Sequence, residues 1–306
     1  MAIAQAIGDT IEDEGRNAPH QGKRGKWVPY LLMLPGLLWL AVFFLIPLVS
    51  LFLTSLQTPV YNGEVGQFEQ TWHFANYIDV LTDKSYYIPL FRSFLYAAIA
   101  TVLALAIGYP LAYAIAFKAG KWRNLLLVMV VAPFFVSFIL RTIAWRQILA
   151  DEGPVVAVLR GIGVVGDTGG LYPSATAVVL GLTYNFLPFM TLPIYASLER
   201  VDPRLVEASS DLYASPFTGF RKVTWPLSMP GVVAGTLLTF IPAAGDYVNA
   251  ALLGNSKTSM IGNRIDYAFL NSNDYPTAAV LSFVLMACIL VLVLVYVRKV
   301  GTEDLV

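Results

Sequence analysis

Within the long apolar stretches of this chain, one carboxylate, Asp246, and two cations, Arg141 and Arg146, are the only formally charged side chains. A charge inside a bilayer costs several kcal/mol unless it is paired, so such residues mark solute or ion pathways by default. Two chemistries are open. In the first, Asp246 lines a path with Tyr184, Asn185, Trp145 and Tyr247, offering a carboxylate and aromatic faces to a protonated amine. In the second, Asp246 and Arg141 form a structural ion pair between spans and the aromatics are packing residues. Helical rise places Asp246 about 23 Å and Arg141 about 26 Å above the starts of their spans, so the two can meet. The ion pair is the preferred reading, because a bare Arg141 would repel a cation on the path. Trp145 stands one helical turn from Arg141, where it can stack on the guanidinium or serve as an interface aromatic.

Other chemistries lack their residues. There is no Gly-x-x-x-x-Gly-Lys-Ser/Thr phosphate loop: Gly22-Lys23 and Gly25-Lys26 miss both its spacing and its hydroxyl. His20 and His73 are the only histidines, and no nucleophile elbow is present. Cys288 is the single cysteine, which excludes an intrachain disulfide and a cysteine-rich metal site. No catalytic residue, no metal site and no cofactor is expected in this chain. Twenty basic residues balance twenty acidic ones, so no long-range field draws it to nucleic acid.

The elements that must position Asp246 and Arg141 follow from composition. The 306 residues are 57% hydrophobic and 13% charged, where a soluble domain carries about 25% charged residues. Six runs are long enough to cross a bilayer as helices: Trp27 to Leu56, Ser93 to Phe117, Asn124 to Leu149, Ala175 to Leu198, Gly231 to Leu253 and Pro276 to Val297. The first run is too long, and starts too far into the chain, for a cleaved signal peptide. Residues 1–26 form a polar leader that reads as disordered, 27–298 a six-helix transmembrane domain, and 299–306 a tail. Thirteen of the twenty basic residues fall in the leader, the second loop, the fourth loop and the tail, and five on the opposite side. Both termini are therefore expected in the cytoplasm. The outer face carries nine acidic residues against those five. An acidic mouth of this kind suits a cationic solute, or follows merely from keeping positive charge inside. Prolines lie within each of the first five spans, where they remove a backbone donor and can kink the helix.

The loop over 199–230 carries two helix starts, Asp202 before Pro203 and Ser215 before Pro216, each an N-cap ahead of a first-turn proline. Two short helices are expected, near Pro203 to Tyr213 and Pro216 to Thr224, with a bend at Ala214 and Ser215. They hold Leu205, Leu212, Phe217 and Phe220 in water. Apolar surface with a charged rim calls for a cover, either a docked soluble partner or the membrane bundle itself.

Glu207-Ala208-Ser209-Ser210-Asp211-Leu212-Tyr213-Ala214-Ser215, followed by Val223-Thr224-Trp225-Pro226, resembles the EAA motif of ABC importer permeases. Ser209 stands for the second Ala of that motif, Tyr213 for its Gly, and Trp225 for its Leu. The Tyr213 departure implies that the bend uses another geometry, because glycine would permit a left-handed turn. Phe134 to Trp145, Leu187 to Tyr195, Phe240 to Val248 and Ile261 to Ile265 extend the similarity to the first permease subunit of spermidine/putrescine importers.

The resemblance implies an all-α, type I ABC importer permease fold in the bacterial inner membrane. It also implies a second related permease, two copies of a nucleotide-binding ATPase that bind ATP and Mg, and an extracytoplasmic solute-binding protein. Glu207, Ala208, Asp211, Leu212, Tyr213, Ser215, Phe217 and Phe220 would then couple the loop to the ATPase. Relatives of this sub-family move other solutes, so ferric ion and opines stand beside polyamines. A stand-alone channel would not need the exposed loop, and a polytopic enzyme would need a reactive constellation that is not visible.

Overall fold

The computed structural model describes residues 28–60, 64–163, 166 and 170–300. The leader expected over 1–26 lies outside the described residues, as does the tail beyond Val300. The chain divides into two units, Met1–Leu51 and Phe52–Val306.

The first unit holds α1 (Val28–Leu40), a π-helical turn at Ala41–Leu45 and the start of α2 (Ile46–Ser55), whose residues from Phe52 belong to the second unit. Pro47 has no N–H to give the carbonyl four residues back, at Phe43, and the wider π turn sits at that place. The stretch Tyr30–Ser55 is long and apolar enough to cross a membrane.

After α2 the second unit continues with a short antiparallel ribbon, β1 (Gln57–Pro59) and β2 (Phe68–Gln70), with Thr58 opposite Glu69. Strands of three residues are too short to show an alternating pattern, so the sequence does not announce them. After α3 (Ala75–Thr82), Asp83 caps α4 (Lys84–Phe117) by accepting the Ser85 N–H at 2.7 Å. This helix starts nine residues before the expected Ser93. At about 51 Å it exceeds the bilayer core.

The third span departs from a single straight helix. Its first half ends in α5 (Arg123–Val131) and a 3-10 turn at Ala132–Phe135, and its second half is α6 (Phe138–Leu149) and α7 (Pro154–Gly161). The halves bend by 97° about Val136 and Ser137. Pro133 starts the break, and Val136 and Ser137 take extended ψ values of 138° and 136° that cannot continue a helix. Among the described residues five helices are long and apolar enough to span, and six if the bent pair counts as one span.

The fourth span, α8 (Ala175–Glu199), matches its expected limits to within a residue. The loop helix α9 (Pro203–Asp211) follows. The second loop helix is not a separate element. From α10 (Pro216–Gly219) the chain continues through a π turn at Phe220–Thr224 into α11 (Trp225–Ala244). Pro226 displaces the carbonyl four residues earlier, at Lys222, as Pro47 does at Phe43. The fifth span therefore begins at Pro216 and ends at Ala244. The expected continuation to Leu253 breaks at Gly245, Asp246 and Tyr247 before α12 (Val248–Leu253). Two further helices, α13 (Ile261–Asp266) and α14 (Tyr275–Val300), complete the unit, the last carrying Arg298 and Lys299 in its final turn.

Helices α4, α8 and α11 pack on one another through small residues. Ala97, Ala100 and Ala104 recur on one face of α4 with no exposed surface. Gly231 and Gly235, one turn apart on α11, lie against α8: a methyl at 231 would stand 2.5 Å from the Pro193 carbonyl, and one at 235 would stand 3.0 Å from that of Met190. Without a hydrophobic drive between helices in lipid, close backbone approach of this kind supplies the packing energy.

Candidate functional site

Asp246 sits in the break between α11 and α12 and is 9% exposed. Its Oδ1 accepts the Asn249 N–H at 2.7 Å, and its Oδ2 accepts from Asn249 Nδ2 at 3.2 Å. Three-residue spacing lets a carboxylate cap the first turn of the next short helix, which is why the chain breaks here without leaving that donor unpaired. Asn249 Oδ1 in turn accepts from Asn185 Nδ2 at 3.1 Å and Thr142 Oγ1 at 3.4 Å, and Asn185 Nδ2 also donates to Thr142 Oγ1 at 3.2 Å. All four residues are buried. A polar network thus joins the third span, α8 and the fifth-span break.

Two glycines and Asn263 hold this network in place. Gly262 lets α13 approach the break, since a methyl there would lie 2.9 Å from the Gly245 carbonyl. Asn263 then bridges, accepting the Met260 N–H at 3.0 Å and donating to the Tyr247 carbonyl at 2.9 Å. Gly181 on α8 makes room for Asn249, whose Oδ1 would be 2.8 Å from a methyl.

The expected residues divide. Asp246 and Asn185 are brought together through Asn249. Tyr184 packs with Trp145, ring centroids 5.4 Å apart. Tyr247 is half-exposed and contributes its carbonyl to the site. The ion pair between Asp246 and Arg141 is not formed among the described residues: Asp246 spends both oxygens on Asn249, and the Arg141 guanidinium lies over the rings of Phe134 and Phe138 at 5.5 and 5.6 Å. The stacking partner expected for Arg141, Trp145, is taken by Tyr184, because the bend at Val136 folds Phe134 back over the arginine. Arg146 lies over the Tyr172 ring at 5.3 Å. Thr142 and Asn249 were missed. An Asp-x-x-Asn spacing after Gly245 is the signal that could have found the second; nothing local marks Thr142.

In the loop, Glu207, Ala208, Asp211, Leu212, Ser215 and Phe217 are exposed and Tyr213 is 99% exposed. Ser215 caps the second helix by accepting the Thr218 N–H at 3.3 Å. Tyr213 takes the left-handed conformation itself, φ +58°, so the turn keeps the glycine geometry rather than finding another. The Ala214 N–H then reaches back to the Ser209 carbonyl at 3.1 Å, the six-to-one bond of a Schellman close. Ser209 also faces Gly219, where a methyl would stand 2.8 Å from Oγ, so the two loop helices touch at the substituted motif position.

Phe220 differs from the others. It packs between Tyr109, Tyr113 and Trp225, with centroids 5.7, 6.2 and 6.3 Å away, because the π turn points it into the bundle. The base of the loop is held by Arg123, which pairs with Glu199 and donates to the Tyr195 hydroxyl.

Intramembrane carboxylates mark solute or ion pathways, and fold and site together define a multi-pass membrane transport protein. The chain belongs to the binding-protein-dependent transport system inner membrane components, which match residues 25–299. It is 35% identical over 260 residues to the spermidine/putrescine transport system permease protein PotB of Escherichia coli (strain K12), covering 85% of this chain and 93% of that one. The Haemophilus influenzae protein of the same description is 35% identical over 272 residues, covering 89% and 90%. The inner membrane ABC transporter permease protein YdcU of Escherichia coli (strain K12) is 30% identical over 288 residues, covering 90% of each. Among solved structures, a chain of a bacterial ABC transporter involved in the import of alginate superposes with a TM-score of 0.67 at 17% identity, covering 90% of this chain and 95% of that one. A chain of the inward-facing MetNI methionine ABC transporter superposes at 0.52 and 20% identity, covering 69% and 94%. Those two likenesses show the type I importer permease fold. The chain is an ABC importer permease, multi-pass in the inner membrane.

Proposed function

We propose that this permease moves polyamines, spermidine or putrescine, into the cytoplasm, and that Asp246 receives an ammonium group of the solute. One geometric observation carries the reading: a buried carboxylate held only by N–H donors, with no cation paired to it among the described residues. Such a carboxylate lacks a positive charge, and a protonated amine supplies one. Asn185 Oδ1 is likewise buried and without a hydrogen-bond partner among the described residues. The 35% identity to permeases named for spermidine and putrescine supports this choice of solute.

In this reading the chain is a non-catalytic subunit with both termini in the cytoplasm. It works with a second related permease, two copies of an ATPase that binds ATP and Mg, and an extracytoplasmic solute-binding protein. ATP binding closes the ATPase pair, the loop over 199–230 rides with it, and the spans alternate access. The ion pair at Arg123 and Glu199 and the continuous helix from Pro216 to Ala244 make the loop stiff enough to pass motion on. The test is spermidine uptake by the reconstituted complex. Asp246→Asn should lower uptake about tenfold to a hundredfold, the worth of one charge-assisted hydrogen bond, with the complex intact. Undiminished uptake by that variant would overturn the role given to Asp246.

A further inference from the structure

We infer that Arg141 is a docking cation for a carboxylate of the second permease subunit, and that the break in the third span is the surface where the two permeases meet. The inference rests on the importer-subunit reading above.

Arg141 is 8% exposed, and its Nε and Nη1 have no hydrogen-bond partner among the described residues. Two aromatic faces shield the guanidinium but accept none of its directed bonds. A buried, unpaired cation is among the most costly groups a membrane protein can carry. Its compensation must come from outside this chain's described residues.

Three sources are available, and depth removes the first. Thr142, the next residue, bonds Asn185, which lies ten residues inside one end of α8 and fourteen inside the other. That is about 15 and 21 Å along the helix, while half a bilayer core is about 15 Å. A lipid phosphate does not reach this level. The second source is an anionic group on the solute in a watered path. The surroundings argue against it: Phe135 is 88% exposed, and Val136, Ile139 and Leu140 beside it are exposed and apolar, where a path would carry polar lining. The third source is a carboxylate on a neighbouring helix. An apolar rim around one desolvated charge is the composition of an interface core.

The backbone gives an independent reason. Val136 and Ser137 are non-helical at membrane depth, and the Ser137 side chain makes no capping bond to α6. Irregular backbone in a bilayer persists only where protein or an aqueous cavity covers it. A companion helix over Phe135 and Val136 covers the break and brings a carboxylate within reach of Arg141 after a rotamer change of its flexible stem.

The complete importer is co-expressed and purified through a tag on this chain, with Arg141 intact, as Arg141→Met and as Arg141→Asp. Arg141→Met should cut recovery of the second permease at least tenfold, while the tagged chain on its own melts at the same or a higher temperature. Arg141→Asp should lose the subunit too, and an Asp or Glu→Lys exchange at one intramembrane position of that permease should restore it. Full recovery with Arg141→Met overturns the inference. So does a fall in the melting temperature of the chain alone, which assigns Arg141 to internal structure. Intact assembly with altered solute preference also overturns it, in favour of a solute contact. If the second permease fails to co-purify with the unsubstituted chain, the importer-subunit reading itself has failed.

Discussion

Tyr213 holds a left-handed backbone that glycine adopts freely and that costs other residues about 1–2 kcal/mol. Its ring returns nothing within the described chain, being 99% exposed. Tyr213→Gly is therefore expected to stabilise the loop by about 1 kcal/mol, raising the melting temperature of the purified protein by thermal shift. A drop would mean that the ring, not the turn, is what the position needs. Phe220 and Phe217 provide the opposite contrast. Phe220→Ala empties a site between Tyr109, Tyr113 and Trp225 and should destabilise the fold by about 2–4 kcal/mol. Phe217→Ala, on the exposed face, should leave the melting temperature unchanged while loosening the ATPase. Sequence alone left the cover of both phenylalanines open between a docked partner and the bundle, and the π turn at Phe220–Thr224 turns one of them inward.

The helix pair α8 and α11 is held by absent atoms. Gly231→Leu would drive a side chain into the Pro193 carbonyl and the Ser197 Cβ, 2.5 and 2.6 Å from the first added carbon. Separating the helices should cost about 1–3 kcal/mol, typical of overpacking, visible as loss of monodisperse protein in detergent. Gly262→Val acts on the break instead. Its Cβ would push on the Gly245 carbonyl and on Tyr247, displacing Asp246 from Asn249. Uptake is expected to fall about tenfold or more, the loss of one hydrogen bond to a charged group, at near-normal expression. Normal uptake would show that Asp246 can be moved without consequence. The segment Ile261 to Ile265 was legible as a family-like motif, but its task, clamping the Asp246 turn through Gly262 and Asn263, required the fold.

At the largest scale, the second loop helix and the fifth span are continuous. A single helix runs from Pro216 at the loop to Ala244 beside Asp246, through the π turn. Glu207→Lys or the pair Leu212→Ala and Phe217→Ala should therefore uncouple ATP hydrolysis from uptake in proteoliposomes without disturbing binding of solute to its soluble receptor. Stimulated hydrolysis and uptake that both survived these changes would exclude the loop as the coupling element.

What the amino-acid sequence determined by itself is what local composition dictates. Runs of about 20 apolar residues are long enough to span, so the places of the long apolar helices were readable. Ser215 before Pro216 must start a helix, and Asp246 and Arg141 had to be special because charges inside apolar runs are costly. The tertiary structure alone decided how those charges are satisfied. Helical rise put Asp246 and Arg141 at one depth, yet the bend at Val136 turned the arginine onto Phe134 and Phe138, and the break at Gly245 gave the carboxylate to Asn249. Pairing depends on direction as well as depth. Direction here is set by two interruptions of the helical ladder, whose angles arise from packing against other elements and are written in no local run of residues.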